Sequence, residues 1–355
     1  MNLLAYYSEG DDLYQSMLSS IAGAKESIDL ESYIFANDDV GNKFLEVLNI
    51  QAELKIKIRI LIDSVGSKRI QNRSFFKKIL RSNIQIRWFN PWSYKKPLEF
   101  NRRNHRKLLI VDGQICYLGG FNIHNESSTK QIGDSRWKDS HISFDGSLVS
   151  QLKQQFELMW QGKLKQIKVI KSHNNNCLVI PNQTRACRIQ LRCQLLQIIN
   201  QSIGTIRIAT PYFVPDSKTL KALVKAAKKG VRVDLLVPKY SDHALLKYAA
   251  FWYYQKLINA GIHIYEYSTR MMHSKFIISD DKLGVIGSAN IDYRSFFANY
   301  EIMLFCRNES LICQLSDDFE FSLSQSDLVQ EQHLKSKKIS HFFPSLVAFF
   351  LRRWL

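Results

Sequence analysis

The sequence predicts a duplicated α/β fold, in which two similar halves each form a mixed β-sheet flanked by helices. Three observations support this fold class. Helical periodicity gives way to strand-like alternation several times, the same order of segments recurs later in the chain, and one octapeptide pattern occurs once in each half. The octapeptides are HRKLLIVD at 105–112 and HSKFIISD at 273–280. A repeat distance of 168 residues is too long for a solenoid and indicates a duplicated domain.

The matched segments follow one order, which is β-α-β-α-β-β in each half. Each half begins with an amphipathic helix and a buried strand, continues with two helix–strand pairs, and reaches the octapeptide and a returning strand. The halves are predicted at 1–165 and 180–325, joined by the Asn-rich linker KVIKSHNNNCLVIPNQ. The segments that match before the octapeptides are 27–35 with 205–213, 43–64 with 219–241, and 75–89 with 252–267.

The composition describes a globular, basic protein. Hydrophobic residues make up 45% of the 355 residues, which argues against intrinsic disorder, and the net charge is +17. A basic surface suits nucleic acid or anionic lipid headgroups, and charge alone does not choose between them. No uninterrupted apolar run is long enough to span a bilayer, and the N-terminus lacks the basic region of a signal peptide. Six scattered cysteines without metal-binding spacing are predicted to be reduced cytosolic thiols.

The octapeptides place an imidazole and an ammonium close together. Side chains alternate along a strand, so His105 and Lys107 are predicted on one side of a strand, and His273 and Lys275 likewise. The last residues of the motif, Asp112 and Asp280, are grouped with these catalytic candidates. We nevertheless expect both aspartates to close the strand turn and pair locally rather than contact phosphate.

The returning strand of each half carries small residues and an asparagine. The small residues let a ligand approach the main chain, while the Asn amide and the Lys ammonium donate hydrogen bonds, so each half is expected to form a phosphate cradle. The predicted phosphate-binding residues are Gly120 and Asn122 in the first half and Ser288 and Asn290 in the second.

Two facing cradles would place the histidines on opposite sides of one phosphorus atom. One histidine then acts as nucleophile and the other as acid for the leaving group, through a phosphohistidine. No metal-binding carboxylate cluster accompanies the motifs, and Lys107 and Lys275 are expected to neutralise the phosphodiester. The sequence therefore predicts phosphoryl chemistry without a metal or another cofactor.

The two H-x-K-x(4)-D motifs, followed by G-G-x-N and G-S-x-N, resemble those of the phospholipase D superfamily, and the resemblance covers about residues 5–325. It implies a duplicated phospholipase D-like domain with one active site at the pseudo-twofold interface. It also implies that a carboxylate orients each histidine, with Asp139 serving the first half and Glu301 serving His273. The first motif more often supplies the nucleophile in this superfamily, which favours His105.

Shorter strings resemble the bacterial cardiolipin synthase branch of that superfamily, namely ESYIF, PYFVPD, KKGVRVDLLVP, GSANIDYRSF and FELMW. This resemblance implies transfer of a phosphatidyl group from phosphatidylglycerol, or a similar phospholipid, to the headgroup hydroxyl of a second lipid. It further suggests the short form without N-terminal transmembrane helices, peripheral to the cytoplasmic face of the bacterial inner membrane. The alternative is a phosphodiesterase or nuclease that hydrolyses lipid or nucleic-acid phosphodiesters. A catalytically silent binding module is disfavoured by the intact pairs of His, Lys and Asn.

The C-terminal segment 335–355 combines lysines, bulky apolar residues and a final Arg-Arg-Trp-Leu. Apolar and aromatic residues flanked by cations suit an interfacial segment on an anionic membrane. This segment favours anionic phospholipids and a membrane surface as partners over nucleic acid. The alternative is that it packs on the protein body as a core helix.

Overall fold

A computed structural model describes residues 1–68, 84–95, 99–166, 168–171, 176–182, 185–332, 334 and 345–347 of the chain. A seven-stranded mixed sheet forms the first half, in the order β1-β7-β6-β5-β2-β3-β4. Its strands are β1 (Asn2–Tyr7), β2 (Ser27–Ser32), β3 (Lys57–Asp63), β4 (Ile84–Phe89), β5 (Leu108–Val111), β6 (Ile115–Gly119) and β7 (His141–Asp145).

A nine-stranded mixed sheet forms the second half. Its strands are β8 (Ile170–Lys171), β9 (Cys177–Pro181), β10 (Thr205–Ala209), β12 (Arg232–Pro238), β13 (His263–Tyr267), β14 (Phe276–Ser279), β15 (Leu283–Gly287), β17 (Ile302–Cys306) and β18 (Ser326–Leu328). They are arranged as β18-β13-β12-β10-β14-β15-β17-β9-β8. The short strands β11 (Phe213–Val214) and β16 (Ile291–Asp292) pair separately in parallel.

The two sheets repeat one topology. The order β7-β6-β5-β2-β3-β4 in the first sheet corresponds to β17-β15-β14-β10-β12-β13 in the second. The edge strand β1 pairs with β7, and β9 pairs in the same antiparallel manner with β17. The segment that the sequence analysis assigned to a linker therefore contributes β8 and β9 to the second sheet, which begins at residue 170 rather than 180.

Helices cover the outer faces of both sheets. Helices α1 and α2 pack on the first sheet, and α5, α6 and α7 pack on the second. The helix predicted in the first part of 75–89 lies outside the described residues. Within the described ranges, no helix combines the length and the apolar character needed to cross a bilayer. The helices are α1 (Gly10–Ala22), α2 (Asp39–Glu53), α3 (Thr129–Ile132), α4 (Ser147–Trp160), α5 (Arg185–Gln201), α6 (Ser217–Lys228), α7 (Ala244–Ile258), α8 (Tyr293–Phe297) and α9 (Glu309–Ser324).

The inner faces of the two sheets share one hydrophobic core. Leu118 of β6 and Ile286 of β15 belong to this cluster, together with Phe156 of α4 and Phe319 of α9, and all four side chains are fully buried. Burial of apolar surface is the main favourable term in folding. Separating the halves would expose this shared core, so the halves are held at a fixed relative position.

Two cysteines lie opposite each other on neighbouring strands. Cys177 of β9 is in register with Cys306 of β17, their Cα atoms are 4.2 Å apart, and the structure joins them in a disulfide. The prediction of six reduced thiols is therefore wrong for this pair. Strand pairing brings together residues 129 positions apart, a contact that cysteine spacing does not reveal. The free cysteines are Cys116, Cys187, Cys193 and Cys313.

The motif aspartates accept main-chain hydrogen bonds at the start of the central strand of each sheet, β2 in the first half and β10 in the second. Asp112 accepts hydrogen bonds from the main-chain N–H groups of residues 25–27, and Asp280 does the same for residues 203–205. Both residues have positive φ, 54° and 53°, which Asp tolerates better than most residues. The local, structural role expected for these aspartates agrees with these contacts.

Removing either carboxylate should destabilise the fold. We expect Asp112→Ala and Asp280→Ala each to lower the free energy of unfolding by about 1 kcal/mol, because a partly exposed side-chain acceptor and its compatible φ are lost. Urea unfolding monitored by circular dichroism measures this effect. Asp134→Ala, which removes a fully exposed carboxylate, is the matched control and should leave the stability unchanged.

The same effect should depend on pH with a defined sign. Burial acts to raise the pKa of both aspartates. The hydrogen bonds from main-chain N–H groups outweigh burial and hold each pKa below its usual value. The stabilisation is therefore fully present above about pH 4 and is lost as the pH falls through the lowered pKa. A difference between wild type and variants that grows on acidification would contradict this account.

Candidate active site

The two motif histidines pair with carboxylates of the opposite half. His105 Nδ1 lies 3.1 and 3.0 Å from the two carboxylate oxygens of Glu301, and His273 Nδ1 lies 2.6 Å from Asp139 Oδ2. All four side chains are buried. A carboxylate that accepts Nδ1–H fixes the imidazole tautomer and leaves Nε2 with a lone pair.

Main-chain hydrogen bonds produce this crossed arrangement. His105 N donates to Tyr300 O at 2.9 Å, and His273 N donates to Lys138 O at 2.6 Å. Tyr300 and Lys138 directly precede the two carboxylates, so each histidine and its carboxylate are neighbours across a parallel bridge between the halves. The expected partnership of Glu301 with His273 is therefore wrong. Glu301 lies just before β17, and Asp139 lies just before β7. The main chain that leads into each of these strands pairs with the motif segment of the other half.

The motif lysines are buried beside their own histidines. Lys107 Nζ donates to His105 O at 2.7 Å, while Lys275 Nζ donates to His273 O and lies 3.4 Å from Asp139 Oδ2. The His-x-Lys segments directly precede β5 and β14 rather than lying within them, which differs from the predicted strand position. The lysines are 2% and 1% exposed.

Gly120 and Ser288, which are predicted to bind phosphate, lie against the two carboxylates. A Cβ atom at Gly120 would lie 2.1 Å from Asp139 Oδ1, so the glycine makes room for that carboxylate. Ser288 Oγ donates to Glu301 Oε2 at 2.5 Å and is fully buried. These equivalent positions therefore adjoin the two carboxylates, and a direct phosphate contact by Gly120 or Ser288 stays a prediction.

A cavity of 590 Å³ lies between the halves and contains both histidines and both motif asparagines. Asn122 Oδ1 accepts from Ile34 N at 3.2 Å, and its NH₂ group has no partner among the described residues. Asn290 shares a hydrogen bond with Asp292, a second cavity residue. Six of the predicted site residues are not among the described residues that line the cavity, namely Lys107, Lys275, Gly120, Ser288, Asp112 and Asp280. The contacts described for Asp112 and Asp280 are those with the main chain at the strand starts, and their grouping with the catalytic residues stays a prediction.

Aromatic and cationic residues complete the cavity, and the sequence analysis did not identify most of them. The Tyr33 ring packs edge-on to the His105 ring, with ring centroids 5.0 Å apart. The Tyr212 ring packs in the same way on the His273 ring, with ring centroids 6.1 Å apart. The two tyrosines lie in the matched segments 27–35 and 205–213 but one position apart in the repeat, because Tyr33 stands opposite Pro211 and Tyr212 opposite Ile34. The other aromatic and cationic residues lining this cavity include Phe100, Trp137, His243, Arg103 and Arg294.

The two carboxylates differ in charge. Burial opposes ionisation of Asp139, but Lys275 and His273 outweigh it and hold its pKa below the usual value. Burial raises the pKa of Glu301 to about 7 despite the nearby Lys107 and the Ser288 hydrogen bond. Asp139 is therefore ionised at neutral pH, whereas burial shifts Glu301 towards its protonated form.

The histidines and lysines all have lowered pKa values. Burial, followed by the charges of Lys107 and Lys275, lowers the pKa of His105 well below its ordinary value. Burial and then Lys275 lower the pKa of His273 to about 4, partly offset by Asp139. Burial lowers the pKa of Lys107 to about 7. A nearby negative charge favours the protonated form of a histidine or a lysine. An anionic phosphodiester that enters the cavity therefore stabilises the protonated forms of these groups.

The chain matches a known family over most of its length. The family described as "Cardiolipin synthase, PLD-like domain" matches residues 17–160 and 195–322. Cardiolipin synthase 1 of Staphylococcus epidermidis is 32% identical over 354 residues, which cover 96% of this chain and 71% of that protein. The major cardiolipin synthase ClsA of Bacillus subtilis is 32% identical over 342 residues, covering 91% of this chain and 69% of that protein.

Solved structures share the fold at low sequence identity. The phosphatidylserine synthase of Haemophilus influenzae Rd KW20 superposes with a TM-score of 0.75 and 13% identity, covering 99% of this chain and 95% of that one. A polyphosphate kinase from Porphyromonas gingivalis gives a TM-score of 0.63 at 14% identity, covering 91% and 47%. The family match, the relatives and the two sheets that meet at a cavity with both motifs lead to one conclusion: the chain belongs to the phospholipase D superfamily and, within it, to the cardiolipin synthase family.

Proposed function

We propose that the protein is a phosphatidyltransferase that forms cardiolipin, moving a phosphatidyl group from phosphatidylglycerol to the headgroup hydroxyl of a second phosphatidylglycerol. The observation that carries this proposal is the single cavity in which two carboxylate-oriented histidines face a shared space with Asn122 and Asn290. The relatives' function as cardiolipin synthases supports the choice of lipid substrate. The protein acts peripherally at the cytoplasmic face of the bacterial membrane.

The first chemical step is attack by His105. Its Nδ1–H is held by Glu301, and its low pKa keeps the imidazole neutral, so Nε2 attacks the donor phosphorus. The bond from phosphorus to the glycerol oxygen breaks as the bond to Nε2 forms. The product of this step is a phosphatidyl group attached to His105 and a departing glycerol.

The protons in both steps are handled by His273. Ionised Asp139 stabilises its imidazolium form, and the phosphodiester's charge adds to this effect, so protonated His273 donates a proton to the leaving glycerol oxygen. Neutral His273 then takes the proton from the acceptor hydroxyl, which attacks phosphorus and releases His105. The proton count is restored at the end of the cycle.

The phosphate charge is stabilised by protein groups. The NH₂ of Asn122 is available to donate to a non-bridging oxygen, and the buried ammonium groups of Lys107 and Lys275 add positive potential next to the histidines. This mechanism requires no metal ion or other cofactor. The C-terminal segment 335–355, proposed to bind the membrane surface, lies outside the described residues apart from 345–347.

Purified protein incubated with phosphatidylglycerol vesicles should form cardiolipin and glycerol in equal amounts, and EDTA should leave the rate unchanged, because protein cations hold the phosphate. Mass spectrometry measures both products. Single-stranded DNA and plasmid serve as parallel substrates for the alternative nuclease activity. Cleavage of DNA without cardiolipin formation, or loss of activity in EDTA that one divalent ion restores, would refute the proposal.

The two histidine variants should differ in whether the covalent intermediate appears. His273→Ala should slow turnover by about 10²–10⁴-fold, because general acid–base catalysis is lost, and should let a radiolabelled phosphatidyl group accumulate on His105. His105→Ala should be inactive and give no adduct. Rapid acid quench and peptide mapping locate the label. An adduct on His273 in the His105→Ala variant would reverse the roles, and net inversion at a chiral phosphorus would exclude the two-step scheme.

A further inference from the structure

A second cavity, of 950 Å³, shares the segment 99–103 with the catalytic cavity, since Glu99 and Arg102 line the second cavity and Asn101 and Arg103 line the first. We name it the basic groove. Its walls come from β4 and the end of α4 in the first half, and from the start of α5 and Tyr300 in the second half. The cationic residues that line it are Arg87, Arg102, Lys163, Lys165, Arg185 and Arg188.

The described lining of the basic groove has a large excess of positive charge, with six cationic side chains against the carboxylate of Glu99. None of its six cations forms an ion pair with a described residue. Glu99 supplies a carboxylate to the described lining, and its side chain is exposed. Like charges gathered in a concave surface raise the local concentration of anions.

Arg188 shows the clearest sign of a missing anion. Its guanidinium is half-buried over the Tyr300 ring, its Nη2 donates to Ala298 O at 3.3 Å, and its buried Nε has no hydrogen-bond partner. Burial, followed by the charge of Arg102, lowers its pKa. A buried donor without a partner is costly, and two neighbouring guanidinium groups repel each other. An anion bound between Arg102 and Arg188 would relieve that repulsion and accept charge-assisted hydrogen bonds from their accessible N–H groups.

From this geometry we propose that the basic groove is a second phosphate site, which binds the phosphate of an anionic lipid headgroup or free phosphate between Arg102 and Arg188. The phosphate in the basic groove is not the one that reacts. The lipid form of the ligand rests on the proposed function, whereas the phosphate site itself does not.

The basic groove also shares structure with the catalytic cavity. Arg102 faces the groove while Asn101 and Arg103 line the catalytic cavity. Tyr300, in the groove wall, directly precedes Glu301 and accepts the main-chain hydrogen bond of His105 at 2.9 Å. Arg188, whose guanidinium lies over the Tyr300 ring, is therefore a neighbour of the segment that positions the His105–Glu301 pair.

Titration of the full chain with inorganic phosphate by isothermal calorimetry tests the site. The wild type should bind one more phosphate per chain than Arg102→Gln/Arg188→Gln. The control Lys225→Gln/Lys228→Gln removes the same charge from exposed positions on α6 and should bind like the wild type. Lys163→Gln/Lys165→Gln, at exposed positions that leave the packing intact, should weaken groove binding about threefold to tenfold. Equal phosphate stoichiometry in all variants, or an equal loss in the control, would overturn the proposal.

A second arm separates the two phosphate sources. Sedimentation with vesicles of 30% phosphatidylglycerol in phosphatidylcholine should show about tenfold weaker binding for the Arg102/Arg188 variant than for the control if the groove takes a lipid headgroup. If the Arg102/Arg188 variant binds vesicles as well as the control does but binds one phosphate fewer in the calorimetric titration, the groove is a site for free phosphate. Hydrolysis or transfer of soluble dihexanoylphosphatidylglycerol should stay within about twofold of wild type in both variants, which shows an intact catalytic cavity. Absence of that activity in every protein would refute the proposed function and leave the phosphate result to stand alone.

Discussion

The structure depends on a reciprocal exchange between its two halves, in which each half supplies the histidine that the other half's carboxylate holds. The pairs are His105 with Glu301 and His273 with Asp139, and a main-chain bridge joins the segments on either side of each pair. Neither half contains a complete histidine–carboxylate pair by itself. The shared hydrophobic core therefore has a direct chemical consequence, because it keeps each imidazole within hydrogen-bond reach of its partner.

The pseudo-twofold symmetry is broken at positions that matter for the proposed chemistry. Gly120 leaves space for Asp139, whereas the equivalent Ser288 donates a hydrogen bond to Glu301. Asp139 is ionised, and the pKa of Glu301 is raised to about 7. Two otherwise similar imidazoles thus have different neighbours, which suits one for attack as a neutral base and the other for carrying a proton.

Much of the fold and part of the site follow from local patterns in the sequence. Periodicity and the repeat predict the central strands of both sheets, and fixed spacing from each histidine predicts that Asn122 and Asn290 reach the same cavity. The positive φ and main-chain contacts of Asp112 and Asp280 agree with a turn after a strand, which is also a local feature. Local patterns succeed here because the strands and turns form within one repeated unit, and the repeat puts the same residue at the same place in each half.

Most features that the sequence did not reveal depend on contacts between distant segments. The crossed partnership of Glu301 needs the relative position of the halves, which no spacing encodes. The Cys177–Cys306 disulfide and the place of β9 beside β17 follow from strand pairing over more than a hundred residues. The hydrogen bond from Ser288 to Glu301 was not predicted, because a small polar residue suits a ligand contact and a carboxylate contact equally well.

The crossed pairing is tested most directly by comparing the kinetics of two nearly isosteric carboxylate variants. Asp139→Asn should behave like a His273 variant, so that the phosphatidyl adduct on His105 forms and then persists, because His273 can no longer activate the acceptor. Glu301→Gln should behave like a His105 variant, with adduct formation itself slowed by about 10²–10⁴-fold because the nucleophile loses its orientation. Rapid-quench measurement of the labelled adduct distinguishes these outcomes. Persistence of the adduct in Glu301→Gln together with slow formation in Asp139→Asn would contradict the account.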